Sequence, residues 1–317
     1  MAKTLIEVKH LKKYFPTPKG MLHAVDDVTF SIGEGKTMGV VGESGCGKST
    51  LGRTLIHLYE STDGQIFFKG KDITHVGKRK LHELRKEMQI IFQDPFASLN
   101  PRMTVQETIM EPLELAGYHK SKLMDKTEEI MDMVGIDERL RHSYPHELDG
   151  GRRQRVGIGR ALALDPAFVV CDEPVSALDV SIQAQVLNLL QDLQEKSGVT
   201  YMFVTHDLSV VKHISDHICV MYLGQLVETT GSRELFAHPV HPYTKALLSA
   251  IPSVDIHHKR ERILLQGEIV SPVEPKPGCR FAARCPYATK QCQEPQELRE
   301  IEKDHFVSCC RAEEITE

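Results

Sequence analysis

The sequence predicts an α/β protein with a largely parallel sheet, a helical insertion and a small cysteine-bearing C-terminal region. Three observations support this prediction. Apolar runs rich in β-branched residues alternate with helical patterns, one long stretch lacks strand-like runs, and the composition changes near residue 251. Alternating strands and helices are typical of parallel sheets, because a helix crosses over between neighbouring strands. At 317 residues the chain can hold one large core and a smaller appended domain.

Short apolar runs mark the predicted strands. They lie at 5–8, 28–32, 37–42, 88–92, 167–171, 200–204 and 217–221. Between 180 and 194, apolar residues recur at helical spacing, which predicts a helix with one face in the core. These residues are Ile182, Val186, Leu190 and Leu193.

The predicted domain boundaries follow from composition. Between Pro101 and about Arg160 the chain is rich in Met, Leu, Glu and Lys, so we expect a helical subdomain over about 97–165. After Ile251 come the polar run HHKRER and the proline-rich run SPVEPKPG, which are typical of a boundary. We therefore expect one domain over 1–250 and an extension over 251–317.

The charge balance disfavours nucleic acid as a partner. Lys and Arg total 39 against 44 Asp and Glu, a formal charge of -5, which provides no chain-wide basic field. No stretch approaches the roughly 18 to 20 apolar residues of a membrane span, and the N-terminal residues lack the apolar run of a secretion signal. We expect the chain to stay in the cytoplasm, so that any role at a membrane requires spanning partners.

The run GESGCGKS fits the phosphate-loop pattern G-x-x-x-x-G-K-[ST], and it lies between a predicted strand and a predicted helix. Glycines let backbone N–H groups surround phosphate, and the helix N-terminus adds a favourable dipole. Lys48 would neutralise the β- and γ-phosphates of ATP, and Ser49 would ligate Mg²⁺. The alternative, a chance glycine-rich turn, is disfavoured by the flanking elements. The predicted nucleotide-binding residues of the loop are Gly42, Glu43, Ser44, Gly45, Cys46, Gly47, Lys48, Ser49 and Thr50.

A second apolar strand ends in two adjacent acids, Asp172 and Glu173. A triphosphate site needs a carboxylate at the end of a parallel strand to hold the Mg²⁺ shell, and Asp172 is assigned that role. Glu173 is then free to polarise the attacking water. The alternative is that the two acids only end a strand before the turn at Pro174.

Further motifs follow in a fixed order: Gln93 in IIFQDP, the run LDGGRRQR at 148–155, SALD at 176–179 and His206 in FVTHD. With the phosphate loop, this order resembles that of an ABC (ATP-binding cassette) ATPase. The resemblance implies a P-loop NTPase cassette, with a RecA-like core, an N-terminal antiparallel β part and a helical subdomain.

The resemblance also implies a head-to-tail dimer of cassettes, in which each ATP contacts one subunit's phosphate loop and the other's signature segment. Gln93 would link metal and nucleotide to a transmembrane partner, and His206 would contact the γ-phosphate. Lys48, Gln93, Glu173 and His206 would be catalytic, with Ser49, Gln93 and Asp172 around Mg²⁺. An aromatic residue, Phe15 with Tyr14 beside it, would stack on adenine. The signature residues Asp149, Gly150 and Gly151 would face the partner's ATP, and Asp179 would cross the dimer interface.

Two finer features resemble the oligopeptide and dipeptide importer branch. They are the run IIFQDPFASLNPRMTV and the C-terminal run HPVHPYTKALL with the later GCRFAARCP. The chain looks most like the second ATPase subunit of that importer. This implies a heterodimer with a sister ATPase on the cytoplasmic face of the membrane. It also implies two transmembrane permease subunits and, indirectly, an extracytoplasmic substrate-binding protein.

Three alternatives to peptide import are open. The same motor could serve another cargo, such as nickel, glutathione or an oligosaccharide, because a cytoplasmic motor does not touch the substrate. A soluble ABC ATPase acting on ribosomes or DNA is disfavoured, because such proteins commonly carry two cassettes or long coiled coils. A redox or metal-binding regulator that uses ATP only as a ligand would require Glu173 to be dispensable.

The signature departs from the usual Leu-Ser-Gly-Gly-Gln, because Asp149 and Arg152 replace its serine and glutamine. Asp149 can cap a helix as serine does, but it cannot donate a hydroxyl to a γ-phosphate and its charge should repel one. Arg152 could compensate by pairing with phosphate or with Asp149. Two hypotheses remain open: a harmless variant, or a more active ATP site on this chain's own Lys48 and Glu173.

Five of the eight cysteines lie between 279 and 310. Cys279, Cys285, Cys292 and Cys309 offer four thiolates, with Cys310 as a spare, and four cysteines can hold either Zn²⁺ or an iron–sulfur cluster. The resembled branch carries a [4Fe-4S] cluster here, which favours iron–sulfur over zinc or free thiols. Its role would be structural or redox-sensing, since ATP hydrolysis needs no electron carrier.

The other cysteines and most histidines are predicted to be structural. Cys46 is interpreted as a small loop residue, although a helix N-terminus could lower its pKa, while Cys171 and Cys219 look like buried core. Of the sixteen histidines, most should be solvated or capping, and only His206 stands where phosphate chemistry can use it.

Overall fold

A computed structural model describes residues 3–251, 262–267 and 270–316. The polar run HHKRER lies outside the described residues except for its last arginine. The chain forms two compact units. The first contains Met1–Gly33, Thr37–His75 and Phe203–Glu317, and the second contains Glu34–Lys36 and Val76–Met202.

Strands and helices alternate through much of the described chain. The strands are β1 Thr4–Thr17, β2 Gly20–Gly33, β3 Thr37–Val41, β4 Asp63–Phe68, β5 Lys71–Asp72, β6 Met88–Ile91, β7 Phe168–Asp172, β8 Thr200–Val204, β9 His217–Tyr222, β10 Gln225–Gly231, β11 Arg299–Glu302 and β12 His305–Val307. The helices are α1 Lys48–Leu55, α2 Lys78–Glu87, α3 Pro95–Ser98, α4 Val105–Leu115, α5 Lys120–Met133, α6 Gly150–Leu162, α7 Val180–Ser197, α8 Leu208–Ile214, α9 Ser232–Ala237, α10 Pro242–Ser249 and α11 Ala312–Thr316.

The first unit contains an antiparallel sheet in the order β2-β1-β4-β5 and a run of neighbouring strands in the order β11-β12-β10-β9-β3. Within that run β3 pairs with β9 in parallel, whereas β9 and β10 form an antiparallel hairpin. All five residues of β3 are buried, which explains its continuous apolar sequence. The N-terminal antiparallel part implied by the ABC resemblance is therefore confirmed.

The second unit contains parallel strands β6 and β7 and most of the helices. Met88 to Ile91 pair in register with Phe168 to Cys171, and all of β7 is buried. Between 101 and 160, in the described chain, every element is helical, so the predicted helical insertion is confirmed. Its helix α4 begins with a capping box, in which Thr104 and Glu107 satisfy each other's backbone N–H groups.

All seven predicted strands are present, but β4, β5, β10, β11 and β12 were missed. These strands are paired in antiparallel ladders and either are very short or mix polar with apolar residues, so they lack the continuous apolar runs that marked the others. The predicted helix face is confirmed over α7, where Val186, Leu190 and Leu193 are buried and Ile182 is half-buried. No helix in the described parts of the chain is long and apolar enough to cross a bilayer.

The buried face of α7 generates a stability prediction. Leu190→Ala should lower the free energy of unfolding by about 2 to 5 kcal/mol, because Leu190 is fully buried and its truncation leaves a cavity. Urea unfolding followed by circular dichroism measures the change. Leu189→Ala is the matched control, since Leu189 is only partly buried and should cost less. Equal losses in the two variants would contradict the assigned face.

Candidate functional site

The phosphate loop between β3 and α1 is shaped by glycines that lie against backbone carbonyl groups. Gly42 and Gly47 have φ angles of 155° and 105°, which other residues rarely adopt. A Cβ atom on Gly42 would lie 2.1 Å from the carbonyl oxygen of Met221, and one on Gly47 would lie 1.9 Å from that of Ala24. These positions therefore admit only glycine, and the loop is packed tightly from behind.

The lysine of the loop is held within it. Helix α1 begins at Lys48, whose Nζ donates hydrogen bonds to the carbonyl oxygens of Gly42 at 2.8 Å and Glu43 at 2.9 Å. The N–H groups of a helix's first turn have no partner within the helix and favour an anion. A buried ammonium beside such N–H groups provides the chemistry that phosphate binding needs.

The thiol of Cys46 is not activated. Burial raises the pKa of Cys46, despite the nearby ammonium of Lys48. This direction is opposite to the lowering that a helix N-terminus could cause, and it fits the interpretation of Cys46 as a small loop residue. Cys171 and Cys219 are also buried, as predicted, and burial raises the pKa of Cys219 to about 11.

The two acids at the end of β7 occupy different environments. Asp172 is fully buried, whereas Glu173 is half-buried. Glu173 has a φ angle of 48°, a left-handed conformation that costs about 1 kcal/mol or more for a residue with a side chain. The N–H and hydroxyl of Ser176 both donate to the Glu173 carbonyl oxygen, at 3.3 Å and 3.1 Å, and hold this turn.

Glu173 is also joined to the predicted metal-linking glutamine. Gln93 Nε2 donates a hydrogen bond to Glu173 Oε2 at 3.1 Å. The structure therefore brings together two residues that lie 80 positions apart in the sequence. Strained backbone conformations cluster at functional sites, so the turn at Glu173 is an additional, structural indication of function that the sequence did not reveal.

The signature segment caps helix α6, as its sequence predicts. Asp149 precedes the helix and its Oδ1 accepts a hydrogen bond from the N–H of Arg152 at 2.8 Å. Arg152 Nε lies 3.4 Å from Asp149 Oδ2, so the arginine also pairs with the carboxylate. Both side chains are more than half exposed, so solvent screens this ion pair. Gly150 and Gly151 form the first turn, where Ile182 of α7 packs closely against Gly151.

The remaining predicted site residues lie at the ends of strands or helices. His206 is exposed just beyond β8, and the neighbouring Thr205 donates its N–H to the carbonyl oxygen of Val40 at 3.2 Å. Since Val40 lies in β3, which leads into the phosphate loop, His206 and the loop leave the same edge of the first unit. Asp179 is exposed immediately before α7.

The two candidate adenine-stacking residues differ in their contacts. Tyr14 stacks on His23 with ring centroids 3.9 Å apart and donates its hydroxyl to Asp26. Phe15 contacts Tyr59 through a ring edge and is half-buried. Both rings therefore contact neighbouring side chains, and Phe15 stays the predicted stacking residue with Tyr14 beside it.

The C-terminal cysteine segment contacts the phosphate loop, a link that sequence reasoning missed. Arg284 forms a bidentate ion pair with the carboxylate of Glu43, at 2.8 Å and 3.0 Å, and its side chain is only 10% exposed. The N–H of Glu43 donates to the hydroxyl of the buried Tyr243 at 2.8 Å. The predicted nucleotide contact Glu43 thus directs its carboxylate to an arginine 241 residues away.

A second arginine of the same segment joins the N-terminal hairpin. Arg280 donates to the carboxylate of Asp26 and to the carbonyl oxygen of Leu223. Burial alone would raise the pKa of Asp26, but hydrogen bonds from Tyr14 and His23 and the charge of Arg280 lower it below its ordinary value. The only sequence signal was the run CRFAARC, in which both arginines stand beside cysteines.

The predicted cysteine ligands lie in one region. Burial, the largest cause, and the neighbouring thiols of Cys292, Cys285 and Cys309 raise the pKa of Cys279 to about 11. Cys310, predicted to be spare, has its Sγ 3.9 Å from that of Cys292. Among the described residues, which include every cysteine, no three cysteine sulfurs lie within 4.8 Å of one another.

Two family models match the chain. A model described as ABC transporter matches residues 25–176, which contain the phosphate loop and the acid pair. A model described as the C-terminal region of oligopeptide and dipeptide transporters matches residues 227–292. Between them, the two models include most of the predicted site residues.

Relatives are similar over almost the whole chain. The oligopeptide transport ATP-binding proteins AppF and OppF of Bacillus subtilis are 51% and 49% identical, covering 96% and 99% of this chain and 97% and 98% of theirs. A solved ATP-binding cassette dimer in a post-hydrolysis state with ADP and Pi is 27% identical, with a TM-score of 0.67, covering 72% of this chain and 99% of that one. The cbiO1 protein of Clostridium perfringens, part of an ABC transporter complex, is 26% identical with a TM-score of 0.67, covering 74% and 91%.

The contact between Arg284 and Glu43 generates a prediction about nucleotide affinity. Arg284→Gln should weaken nucleotide binding about three- to tenfold, because Glu43 loses two charge-assisted hydrogen bonds and the loop becomes less ordered. Titration with a fluorescent ATP analogue measures the affinity. Arg299→Gln is the matched control, since Arg299 belongs to the same C-terminal segment but pairs with Glu313. Unchanged affinity in Arg284→Gln, or an equal loss in the control, would contradict the link.

Proposed function

The chain belongs to the ABC transporter family, in its oligopeptide and dipeptide branch, and from that premise we propose that it is the motor subunit of a peptide importer. It is an ATPase of the ABC type. The observation that carries the proposal is the phosphate loop itself, which holds the buried ammonium of Lys48 among glycines that admit no side chain. The names of the relatives, which describe oligopeptide transport, support peptides as the cargo.

The residues of the phosphate loop bind the triphosphate in this proposal. Lys48 exchanges its bonds to the loop carbonyls for the β- and γ-phosphates, and the N–H groups of the loop and of α1 surround them. Phe15, with Tyr14 beside it in the sequence, stacks on adenine, and His206 contacts the γ-phosphate.

Magnesium fits the donors proposed for it. The hydroxyl of Ser49, the carboxylate of Asp172 and the amide of Gln93 are oxygen ligands, which Mg²⁺ prefers, and a buried carboxylate such as Asp172 favours a cation. When bound, the ion neutralises charge on the β- and γ-phosphate oxygens. The hydrogen bond between Gln93 and Glu173 orients both side chains for this role.

Glu173 acts on the attacking water. Its carboxylate accepts a proton from the water as the oxygen attacks the γ-phosphorus, while the bond to the ADP oxygen breaks. Asp172 is fully buried and Glu173 only half-buried, so we assign the metal to Asp172 and the water to Glu173. The signature residues Asp149, Gly150 and Gly151, and Asp179, contribute to the ATP site of a second cassette.

We propose a sister ATPase as the second cassette, with two permease subunits that span the membrane and an extracytoplasmic substrate-binding protein. The chain would then lie on the cytoplasmic face of the membrane, as a peripheral subunit. The proposed division is a cassette over 1–250, with a helical subdomain at about 97–165, and an extension over 251–317. Another cargo, such as nickel, glutathione or an oligosaccharide, would leave this mechanism unchanged.

We further propose that Cys279, Cys285, Cys292 and Cys309 hold a [4Fe-4S] cluster. One tetrahedral Zn²⁺ with Zn–S bonds of about 2.3 Å requires sulfurs roughly 4 Å apart. No three of the cysteine sulfurs, all of which the structure describes, lie within 4.8 Å of one another, which suits a cluster better, because its four iron corners each take one thiolate. Nearby Arg280 and Arg284 are tied to the hairpin and the phosphate loop, so the cluster would stabilise a segment that supports nucleotide binding.

Replacing the proposed base tests the ATPase assignment. In the assembled complex, Glu173→Gln should reduce ATP turnover at least about a hundredfold while nucleotide binding persists, because the amide cannot accept the proton. Phosphate release and binding of a fluorescent nucleotide measure the two quantities. Glu195→Gln, a change at an exposed position of α7, is the control and should leave both ATP turnover and nucleotide binding unchanged. Near-normal turnover in Glu173→Gln would contradict the proposed role of Glu173. It would also contradict the proposal that the ATP site built on this chain's Lys48 and Glu173 is the more active one.

A matched cysteine pair tests the cluster. Protein purified without oxygen should contain iron and acid-labile sulfide, measured chemically and by electron paramagnetic resonance after reduction. Cys309→Ser should lose most of both, because a cluster ligand is removed, whereas Cys310→Ser should retain them. Zinc in place of iron in the wild-type chain, or equal iron loss in both variants, would contradict this ligand set.

A further inference from the structure

A fully buried carboxylate lies beneath the C-terminal hairpin. Glu228 of β10 is 0% exposed, and it accepts hydrogen bonds from the N–H groups of Val240 at 2.8 Å and His241 at 2.9 Å. It also bonds to Nε2 of His305 at 2.8 Å. Because Glu228 accepts all three bonds, the proton on the imidazole lies on Nε2.

The other ring nitrogen of His305 has no such partner. Nδ1 is buried and makes no hydrogen bond, and the residue is only 1% exposed. With the proton on Nε2, Nδ1 presents a lone pair. A buried nitrogen with an unused lone pair is costly, so its surroundings call for a donor or a cation.

The groups that face His305 are carboxylates. A ring nitrogen of His305 and one oxygen each of Glu234 and Glu302 all lie within 4.8 Å of one another. An ionised carboxylate only accepts hydrogen bonds, so neither acid can satisfy Nδ1. Three electron-pair donors therefore converge, and a cation between them would satisfy all three.

Local structure brings these residues together. Glu302 and His305 are paired across the β11–β12 hairpin, on either side of a turn in which Asp304 has a φ angle of 58°. β12 pairs with β10, which places His305 against Glu228. Glu234 projects from the short helix α9, and His238 follows that helix with its Nδ1 2.7 Å from Glu234 Oε1.

We propose that Glu234, Glu302 and His305 bind a divalent cation of the zinc type. An imidazole with carboxylates suits Zn²⁺ better than Mg²⁺, which prefers oxygen ligands alone. Glu228 then completes a carboxylate–histidine–metal arrangement, which orients the ring and makes Nδ1 a stronger ligand.

The ion would link the C-terminal hairpin to α9. Glu302 is exposed and Glu234 is partly exposed, so the cation can enter from solvent, while His305 holds it from within the protein. The site uses no cysteine and none of the residues proposed to contact ATP. Its role is therefore structural, and it is independent of the proposed cluster and of ATP hydrolysis.

Cobalt and zinc titrations of the full-length chain test the proposal. Co²⁺ bound to nitrogen and oxygen gives weak visible absorption without the intense thiolate-to-cobalt band, which separates this site from the cysteines. The wild type should bind one such ion, and excess Zn²⁺ should raise its unfolding temperature. Glu302→Gln and Glu234→Gln should each weaken binding at least about tenfold, because each removes a charged ligand and leaves the buried histidine intact.

Glu297→Gln is the matched control, because Glu297 is an exposed acid just before the same hairpin and belongs to no candidate group. It should bind Co²⁺ as the wild type does. The proposal is overturned if the wild type shows only thiolate-bound cobalt, or if the two ligand variants bind as tightly as the control. It is equally overturned if no cobalt binds to the wild type.

Discussion

The structure depends on holding a phosphate loop in which Gly42, Gly45 and Gly47 carry no side chain. The loop must keep its N–H groups in a fixed arrangement, yet its glycines supply no packing. Rigidity therefore comes from outside: the carbonyl oxygens of Met221 and Ala24 lie where Cβ atoms would be, and Tyr243 and Arg284 hold Glu43 by its N–H and its carboxylate. A loop fixed from behind loses less conformational entropy when phosphate binds, which strengthens binding without adding a contact to the nucleotide.

This constraint explains why the C-terminal segment belongs to the same compact unit as the phosphate loop. A region of about 30 residues buries too little apolar surface to fold well alone. Phe281 is packed against Tyr222 and Tyr243, and the arginines on either side of it reach the loop and the N-terminal hairpin. The segment thus gains its stability from the nucleotide-binding unit, and the loop gains its order from the segment.

Structural features that depend on residues close together in the sequence were predictable from it. Buried parallel strands such as β3 and β7 show as continuous apolar runs, and a phosphate loop requires its residues at fixed spacing, so both were predictable. The helix cap at Asp149 was predictable for the same reason. The pairing of Arg284 with Glu43, the ring of His305 on Glu228 and the left-handed turn at Glu173 were not predictable, because each arises from tertiary packing. Strands β10 to β12 were missed because antiparallel pairing tolerates polar residues.

The structure gives Asp149 of the signature segment a partner that the sequence alone did not assign with certainty. Considered alone, the charge of Asp149 should repel a γ-phosphate. The structure shows that one oxygen of Asp149 accepts the Arg152 N–H and that the other lies beside the Arg152 guanidinium, so a phosphate would meet an ion pair at a helix N-terminus. The remaining difference from the usual signature is that Asp149 lacks the hydroxyl donor of serine. A lost donor weakens one contact, whereas an unpaired charge in a closed interface would oppose closure. In the proposed dimer of cassettes, the substitution should therefore affect ATP turnover more than dimer formation.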